Sequence, residues 1–387
     1  MRLSAPGKVD RRDIRRLIDV MDPSNSSIGV GTRHALYVDN PVFSRAAYGS
    51  QHPLAIARTE TVSRLARTLG WLPQSAFKTS AAASLATLCR FHDRDYAMAL
   101  RAADRHGKVD REWRQRYGFG TMENPLFAGV FERAATAVGG SILAAELSLE
   151  QRVVFHPAGG THHGQPGRAS GFCYFNDPVF AIMTLLDAGL DRVLYVDLDA
   201  HHGDGVEAAF RFNPRVHLLS VHEIERWPYT GKTSVGNRIC NLPVAKGCDD
   251  HAFRTLMADT ALPFASNVEP QAIVITCGTD ALAGDPLSSM RLSNVALWQA
   301  VEQFTMLAPA VVVLGGGGYN PWTLARCWAG LWARLAGFEI PAALPDRAQR
   351  ILAALECDLV DEQEIEHSWL SSIADRPPFY AARHSDE

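Results

Sequence analysis

Two aspartates and a histidine, Asp199, His201 and Asp280, are the residues of this chain best suited to hold a metal. Asp199 and His201 alternate around one residue just after an apolar run. At a strand end, residues i and i+2 point to the same side, so the two form a clamp. Asp280, from a separate segment, can complete it. Two carboxylates, one imidazole and no thiolate make an oxygen-rich set with a position open for water. Zinc suits such a set, and Fe(II), Co(II) or Mn(II) fit the same donors. Taken alone, Asp199 and His201 also read as a buried structural ion pair. Their neighbours argue against that reading. His162 and His163 follow Gly159-Gly160-Thr161, where a tight loop can turn both rings to one centre for acid/base work. Each imidazole needs a partner to fix its tautomer, and Asp197 and Asp204 are the nearest spare carboxylates. Tyr319 follows Gly315–Gly318, and its phenol is a candidate donor to a developing oxyanion. That glycine run lacks the Gly-Lys-Ser/Thr ending of a phosphate-binding loop. Cys173 reads as a small apolar pocket residue rather than a nucleophile. Phe172 is either a pocket wall or a plain core residue.

All these groups follow short apolar runs. The spacing predicts strands at Arg152–Phe155, Val193–Val196, Val216–Val221, Ala272–Thr276 and Ala310–Leu314. It predicts helices at Leu126–Leu147, Pro178–Ala188, Asp249–Ala261, Ser293–Met306 and Thr323–Leu335. Strand–helix alternation implies an α/β fold, a doubly wound parallel sheet flanked by helices, in a single domain over residues 31–387. Ligands of such sheets bind at the carboxyl ends of the strands. Residues 1–30 read as an appendage: Val9, Ile14, Leu17, Ile18 and Met21 recur at helical spacing before Asp22-Pro23. This is either a surface helix or an arm for an oligomer. The acidic tail, Glu356 to Asp375, reads as a surface helix or loop.

The bulk properties narrow the function classes. Apolar residues make up 47% of the 387, charged residues 21%, and the net charge is −4. That is an ordinary soluble composition with no electrostatic case for nucleic acid. No run reaches the ~20 apolar residues of a membrane span. Arg2, Lys8, Arg11, Arg12, Arg15 and Arg16 precede no apolar run, so no secretory signal is read and a cytoplasmic location is expected. Seven cysteines without a C-x-x-C pair argue against a disulfide scaffold and a thiolate metal site.

Gly-Gly-Thr-His-His (159–163), Gly-Phe-Cys-Tyr-Phe-Asn-Asp (171–177), Tyr-Val-Asp-Leu-Asp-Ala-His-His-Gly-Asp-Gly (195–205), Asp-Ala-Leu-Ala-Gly-Asp-Pro (280–286) and Gly-Gly-Gly-Gly-Tyr-Asn (315–320) together resemble the histone deacetylase family. The segments 118–127 and 48–54 are similar to class I-like bacterial members such as the acetoin-utilisation deacetylases. The likeness runs from about residue 32 to 340. It implies the arginase/deacetylase fold and a zinc-dependent amidohydrolase acting on acetyl-lysine or related acylated amines through metal-activated water. It implies zinc on Asp199, His201 and Asp280, and His163 as general base and acid, paired with Asp204. It makes His162, paired with Asp197, an electrostatic partner, and gives Tyr319 the acetyl carbonyl. Gly171, Phe172 and Trp227 match tunnel positions, Arg58 an inner-cavity arginine, and Glu123 the rim aspartate that grips a peptide backbone. Potassium sites are implied at Asp197, Asp199, His201, Ser220 and Val221, and at Phe210, Asn213 and Val216. Trp227 and Tyr229 depart from the usual class I pattern at the tunnel mouth, as does Glu123. Acetylated lysine in peptides or proteins is the expected partner, with small acetylated amines such as acetylpolyamines as the alternative.

Two other classes compete. A dimanganese ureohydrolase would carry Asp-x-His-x-Asp, but Gly203 stands two residues after His201. A non-enzymatic reader of acetylated ligands would not need the full catalytic set.

Overall fold

The computed structural model describes residues 35–375 apart from Ala46 and Gln151; the expected appendage at 1–30 lies outside the described residues. Eight parallel strands form one sheet in the order β2-β1-β3-β8-β7-β4-β5-β6. They are β1 (Ala35–Asp39), β2 (Phe77–Thr79), β3 (Val153–His156), β4 (Val193–Asp197), β5 (Val216–Glu223), β6 (Ile239–Val244), β7 (Ala272–Thr276) and β8 (Ala310–Leu314). The fold is the arginase/deacetylase type, a single parallel sheet flanked by helices.

Alternation within each strand explains why both faces are covered. Val153, Phe155, Leu194, Val196, Val311 and Val313 join one core, which also holds Trp298, Trp328 and Trp332. Val154, Val193, Tyr195, Ala310, Val312 and Leu314 point the other way, into a second core with Val179, Ile182 and Leu185. A strand buried on both faces shows no polar alternation, which is why these runs read as continuous apolar segments. The helix Pro321–Leu335 lies almost wholly within the first core. Its indole Trp328 donates to the Cys277 carbonyl at 3.0 Å and Trp332 to that of Trp71 at 2.8 Å, so the large rings bury no orphan N–H.

Several sequence expectations need correction. β1, β2 and β6 were not expected. β2 has three residues and β6 contains Pro243, features tolerated at the sheet's two edges. The helix expected from Leu126 begins at Val130, because Gly129 is left-handed and the Asp104 carboxylate takes the Gly129 and Phe131 amides at 2.8 and 3.1 Å. The helix expected to end at Ala261 passes through one wide turn, Met257–Ala261, into Leu262–Val268. Pro263 has no N–H to give to the turn before it, and the wide turn lies where that bond would fall. The tail is anchored rather than superficial: Trp369 and Ile373 are buried, and the buried Arg326 pairs with Asp375 at 2.6 Å. No described helix is long and apolar enough to cross a membrane.

Candidate active site

The segments after the carboxyl ends of β3, β4, β5, β7 and β8 deliver the triad, the histidine pair, Phe172, Trp227 and Tyr319 to one rim, around the central β8–β7–β4 strands. Arg58 comes from the segment after β1 and Glu123 from the segment before the helix at Val130, while Phe210, Asn213 and Val216 lie at the opposite, amino end of β5. Asp199, His201 and Asp280 bring ligand atoms within 4.8 Å of one another. His201 Nδ1 lies 2.9 Å from Asp280 Oδ2 and 3.2 Å from Asp199 Oδ1. Backbone amides orient both carboxylates: Gly317 N–H donates to Asp199 Oδ2 at 2.5 Å and Ala200 N–H to Asp280 Oδ1 at 3.0 Å. Glycine is required here because a Cβ at 317 would stand 2.1 Å from Asp280 Oδ2.

The adjacent histidines diverge onto different carboxylates. His162 Nδ1 is 2.7 Å from Asp197 Oδ2, and His163 Nδ1 is 2.8 Å from Asp204 Oδ1. Asp197 also accepts from the Tyr195 hydroxyl at 2.8 Å, and Asp204 from Gln165 Nε2 at 3.0 Å. The loop that carries the pair is fastened by Asp177, whose carboxylate takes the Gly160 and Thr161 amides at 3.0 and 2.7 Å.

Charge is distributed unequally. Burial disfavours a charged His162, but Asp197 and Asp199 outweigh it and raise the ring to about 9. His163 is pushed down to about 3 by burial and by the neighbouring His162, against the pull of Asp204. His201 is raised to about 10: burial opposes its charge, and the hydrogen bonds and charges of Asp199 and Asp280 prevail. Burial and the Asp199 charge push the Asp280 carboxyl up. Two buried carboxylates thus share imidazolium protons as their counter-charge. A divalent cation supplies that charge better, and the donor set fits one.

Phe172, Gly171 and Trp227 wall the approach. Trp227 meets His163 edge-on at 4.6 Å, and Phe172 meets Tyr319 at 5.8 Å between ring centres. The mouth, a cleft of about 500 Å³, is lined by these residues with His201, Glu123, Glu225 and Tyr229. Burial, reinforced by the Asp280 and Asp199 charges, pushes the Tyr319 phenol well up, so it stays protonated. Arg58 lies behind the triad in an inner cavity of about 100 Å³, lined also by Tyr48, Arg133, Phe172 and Tyr174. Its guanidinium donates to the Gly316 carbonyl and sits 5.1 Å over Trp328, and its Nε is buried without a partner. Cys173 is buried, its thiol pushed up by burial, which suits a packing role.

A model of the histone deacetylase domain matches residues 52–335. The chain belongs to the histone deacetylase family. It is 32% identical over 334 residues to the acetoin utilization protein AcuC of Bacillus subtilis, covering 81% of this chain and 85% of that protein. It is 34% identical over 327 residues to human histone deacetylase 1, covering 81% and 67%. The crystal structure of a histone deacetylase homologue from Aquifex aeolicus superimposes with a TM-score of 0.84 at 33% identity, over 89% of this chain and 95% of that one. The protein is therefore a hydrolase of the deacetylase family with a possible metal-binding triad.

The aspartate that would bridge a second metal has no room two residues after His201. A Cβ at Gly203, the place of the missing aspartate, would stand 2.3 Å from Asp197 Oδ2. Of the two implied potassium sets, Asp197 and Ser220 are register partners on β4 and β5, with Asp199, His201 and Val221 adjacent in the chain. The second set does not fit a free ion. The Asn213 and Val216 carbonyls accept from the Arg238 guanidinium at 2.8 and 3.4 Å, and the Phe210 carbonyl accepts the Asn213 amide at 2.8 Å.

The structure adds residues that sequence reading passed over. Asp285 takes the Tyr319 amide at 2.7 Å and so sets where the phenol begins. Its only signal was a place in the quoted 280–286 motif. Glu123, read as a rim acceptor, has Oε1 committed to the Gly171 amide at 2.7 Å, which ties it to the Gly171–Phe172 wall. His52 meets Phe172 at 4.8 Å and stacks on Tyr48 at 4.6 Å, backing that wall from behind.

Proposed function

We propose that this deacetylase-family hydrolase is a zinc-dependent amidohydrolase that removes acetyl groups from lysine side chains of peptides or proteins in the cytoplasm. The observation that carries the reading is the convergence of the Asp199–His201–Asp280 triad, the His162–His163 pair and Tyr319 at the base of one apolar slot. A divalent ion held by the triad would polarise the amide carbonyl and raise the acidity of a water beside it. His163 is neutral and gives its Nδ1–H to Asp204, which leaves Nε2 free to take the proton of the attacking water. The same Nε2 then delivers a proton to the departing amine as the C–N bond breaks, leaving acetate and free amine. His162, held positive against Asp197, stabilises negative charge on the carbonyl oxygen. The Tyr319 hydroxyl donates to that oxygen. Arg58 meets the acetate in the inner cavity. A potassium ion at Asp197, Asp199, His201, Ser220 and Val221 would brace the strand ends beneath the triad.

The slot also favours an uncharged substrate. Phe172 and Trp227 suit an alkyl chain whose charge acetylation has removed, because a free ammonium there would lack a partner. A second reading, small acetylated amines, draws on Glu123 and Glu225, two carboxylates at the mouth able to hold a distal ammonium. The test compares kcat/KM of the zinc-loaded protein on an acetyl-lysine tripeptide and on N-acetylputrescine, wild type against Glu123→Ala. For lysine substrates, Glu123→Ala lowers all peptides by a similar factor of about 5 to 100, the worth of one or two charge-assisted hydrogen bonds. For polyamines it harms charged amines more than neutral acetyl amides, which lose only what the loosened Gly171–Phe172 wall takes from every substrate. No turnover of the tripeptide by the wild type overturns the acetyl-lysine reading. The reader of acetylated ligands falls with any turnover.

A further inference from the structure

The second potassium set of the family is occupied by the chain itself. We infer that the Arg238 guanidinium is a tethered substitute for that monovalent ion, so that this protein takes a free cation at no more than one of the two positions. Three carbonyls, of Arg211 and Asn213 after the helix Asp204–Phe210 and of Val216 at the start of β5, accept from one side chain. Arg238, immediately before β6, reaches all three: Nη1 donates to Asn213 O at 2.8 Å and to Val216 O at 3.4 Å, and Nη2 donates to Arg211 O at 3.1 Å. The Asn213 oxygen also accepts the Val216 amide at 3.2 Å. Both of its lone pairs are then used, and none remains for an ion.

The chemistry of the arginine agrees. Among the described residues it has no carboxylate within ion-pair distance, so it is not the ordinary surface cation of a salt bridge. Its charge is met by carbonyl dipoles and by the carboxyl end of a helix, the surroundings a monovalent metal ion seeks. A guanidinium also offers directional donors in a planar fork, which an ion does not. The Arg238 backbone carbonyl accepts the Leu218 amide at 2.8 Å, so the same residue is fixed to β5 on one side and to the loop on the other. The tethered charge thus pins the helix that begins at Asp204, the partner of His163. A resident charge needs no cation from solution, so the fold here is insensitive to potassium. This holds whichever acylated amine is the substrate.

Thallium(I), a potassium mimic with strong anomalous scattering, tests the inference. Crystals of the wild type, Arg238→Met and Arg238→Lys are soaked in a thallium salt, and the melting temperature of each protein is measured in KCl and in tetramethylammonium chloride of equal ionic strength. The wild type is expected to show no anomalous peak among the Phe210, Asn213 and Val216 carbonyls. Arg238→Met, which keeps an apolar stem, is expected to gain one there, and its melting temperature is expected to rise in KCl by several degrees more than that of the wild type. Arg238→Lys keeps a tethered charge and is expected to exclude thallium as the wild type does. A thallium peak at these carbonyls in the wild type overturns the inference. So does the lack of a peak in Arg238→Met, because the carbonyls then do not form a cation site at all. If Arg238→Met does not fold in either salt, Arg238→Gln takes its place under the same criteria.

Discussion

The charge asymmetry of the histidine pair gives the most discriminating prediction. Replacing His162 by Gln removes a positive charge from a ring whose centre is 4.0 Å from that of His163. At an effective dielectric of ~20, two unit charges about that far apart interact by about 4 kcal/mol, or about 3 pKa units. Solvent and the nearby carboxylates reduce this, so a shift of about 1 to 3 units is expected. His163 stands at about 3, held down first by burial and next by His162. Its value should therefore rise to between about 4 and 6 in His162→Gln. The sign follows from the role. A base acts only when deprotonated, so raising its pKa makes the rate start to fall at a higher pH. The assay is kcat/KM of the zinc-loaded protein on an acetyl-lysine tripeptide from pH 4 to 9, with bound metal measured at every pH to separate protonation of the base from loss of the ion. The wild type keeps its rate to lower pH than His162→Gln, whose acid limb moves into the measured range. His163→Ala loses on the order of 10² to 10⁴ in kcat throughout, as expected for a general base, and more than His162→Gln at neutral pH. An acid limb that does not move, or a greater loss in His162→Gln than in His163→Ala, would refute the assignment of the pair.

Other perturbations test separate parts of the site. Asp199→Ala leaves two ligands and should lose both bound metal and activity, read by equilibrium dialysis and elemental analysis; stoichiometric zinc in the variant would show the triad to be misassigned. Tyr319→Phe should fold and keep its metal but lose on the order of 100- to 1000-fold in kcat, the usual loss for one oxyanion donor, and near-normal turnover would remove the phenol from the mechanism. His92 carries a pH dependence of stability: its Nε2 accepts the Asn176 amide at 3.0 Å, its Nδ1 donates to the Gln165 carbonyl at 3.0 Å, and burial lowers it from 6.5 to about 4. The native state therefore binds fewer protons than the unfolded chain between those values. Stability from this group is complete above about pH 6.5 and is lost as pH falls toward 4, by on the order of 3 kcal/mol at most. Urea unfolding at pH 7 and 4.5 should show a smaller drop in His92→Gln than in the wild type, and an equal drop would exclude His92 as the source.

What the sequence made legible followed from local spacing. Asp199 and His201 stand one residue apart just past the end of β4 at Asp197, and there a local hydrogen bond from the His201 amide to the Asp199 carboxylate at 2.9 Å, not strand alternation, holds the pair together. The five runs in the middle of the sheet are apolar on both faces, and their expected ends fell within two residues of β3, β4, β5, β7 and β8. The edges were illegible for the same reason: β2 is three residues long with Lys78 at its centre, and β6 carries a proline. Gly317, Glu123, Asp285 and Arg238 act on Asp199, Gly171, Tyr319 and Asn213, which lie 118, 48, 34 and 25 residues away in the chain. No periodicity connects such positions. Glu123 shows the consequence: the family resemblance implied a rim role, and only the fold reveals that its carboxylate holds the Gly171 amide.

These long-range contacts share a logic. Three carboxylates at the rim are fixed by backbone donors: Asp199 by the Gly317 amide, Asp280 by the Ala200 amide, Asp177 by the Gly160 and Thr161 amides. Backbone donors set direction without adding a charge, so the net negative charge of the triad is preserved for a cation. Positive charge near the rim is met by a carboxylate or a carbonyl, on His162 against Asp197 and on the Arg58 guanidinium against the Gly316 carbonyl. His163 is the exception and must be. It sits between the cationic His162 and the mouth, kept neutral by burial and by that neighbour, with only Asp204 to set its tautomer. Neutral and held in this way, His163 can accept a proton as the proposed mechanism asks, and a scaffold that merely bound acetylated ligands would not need a charged and an uncharged histidine side by side.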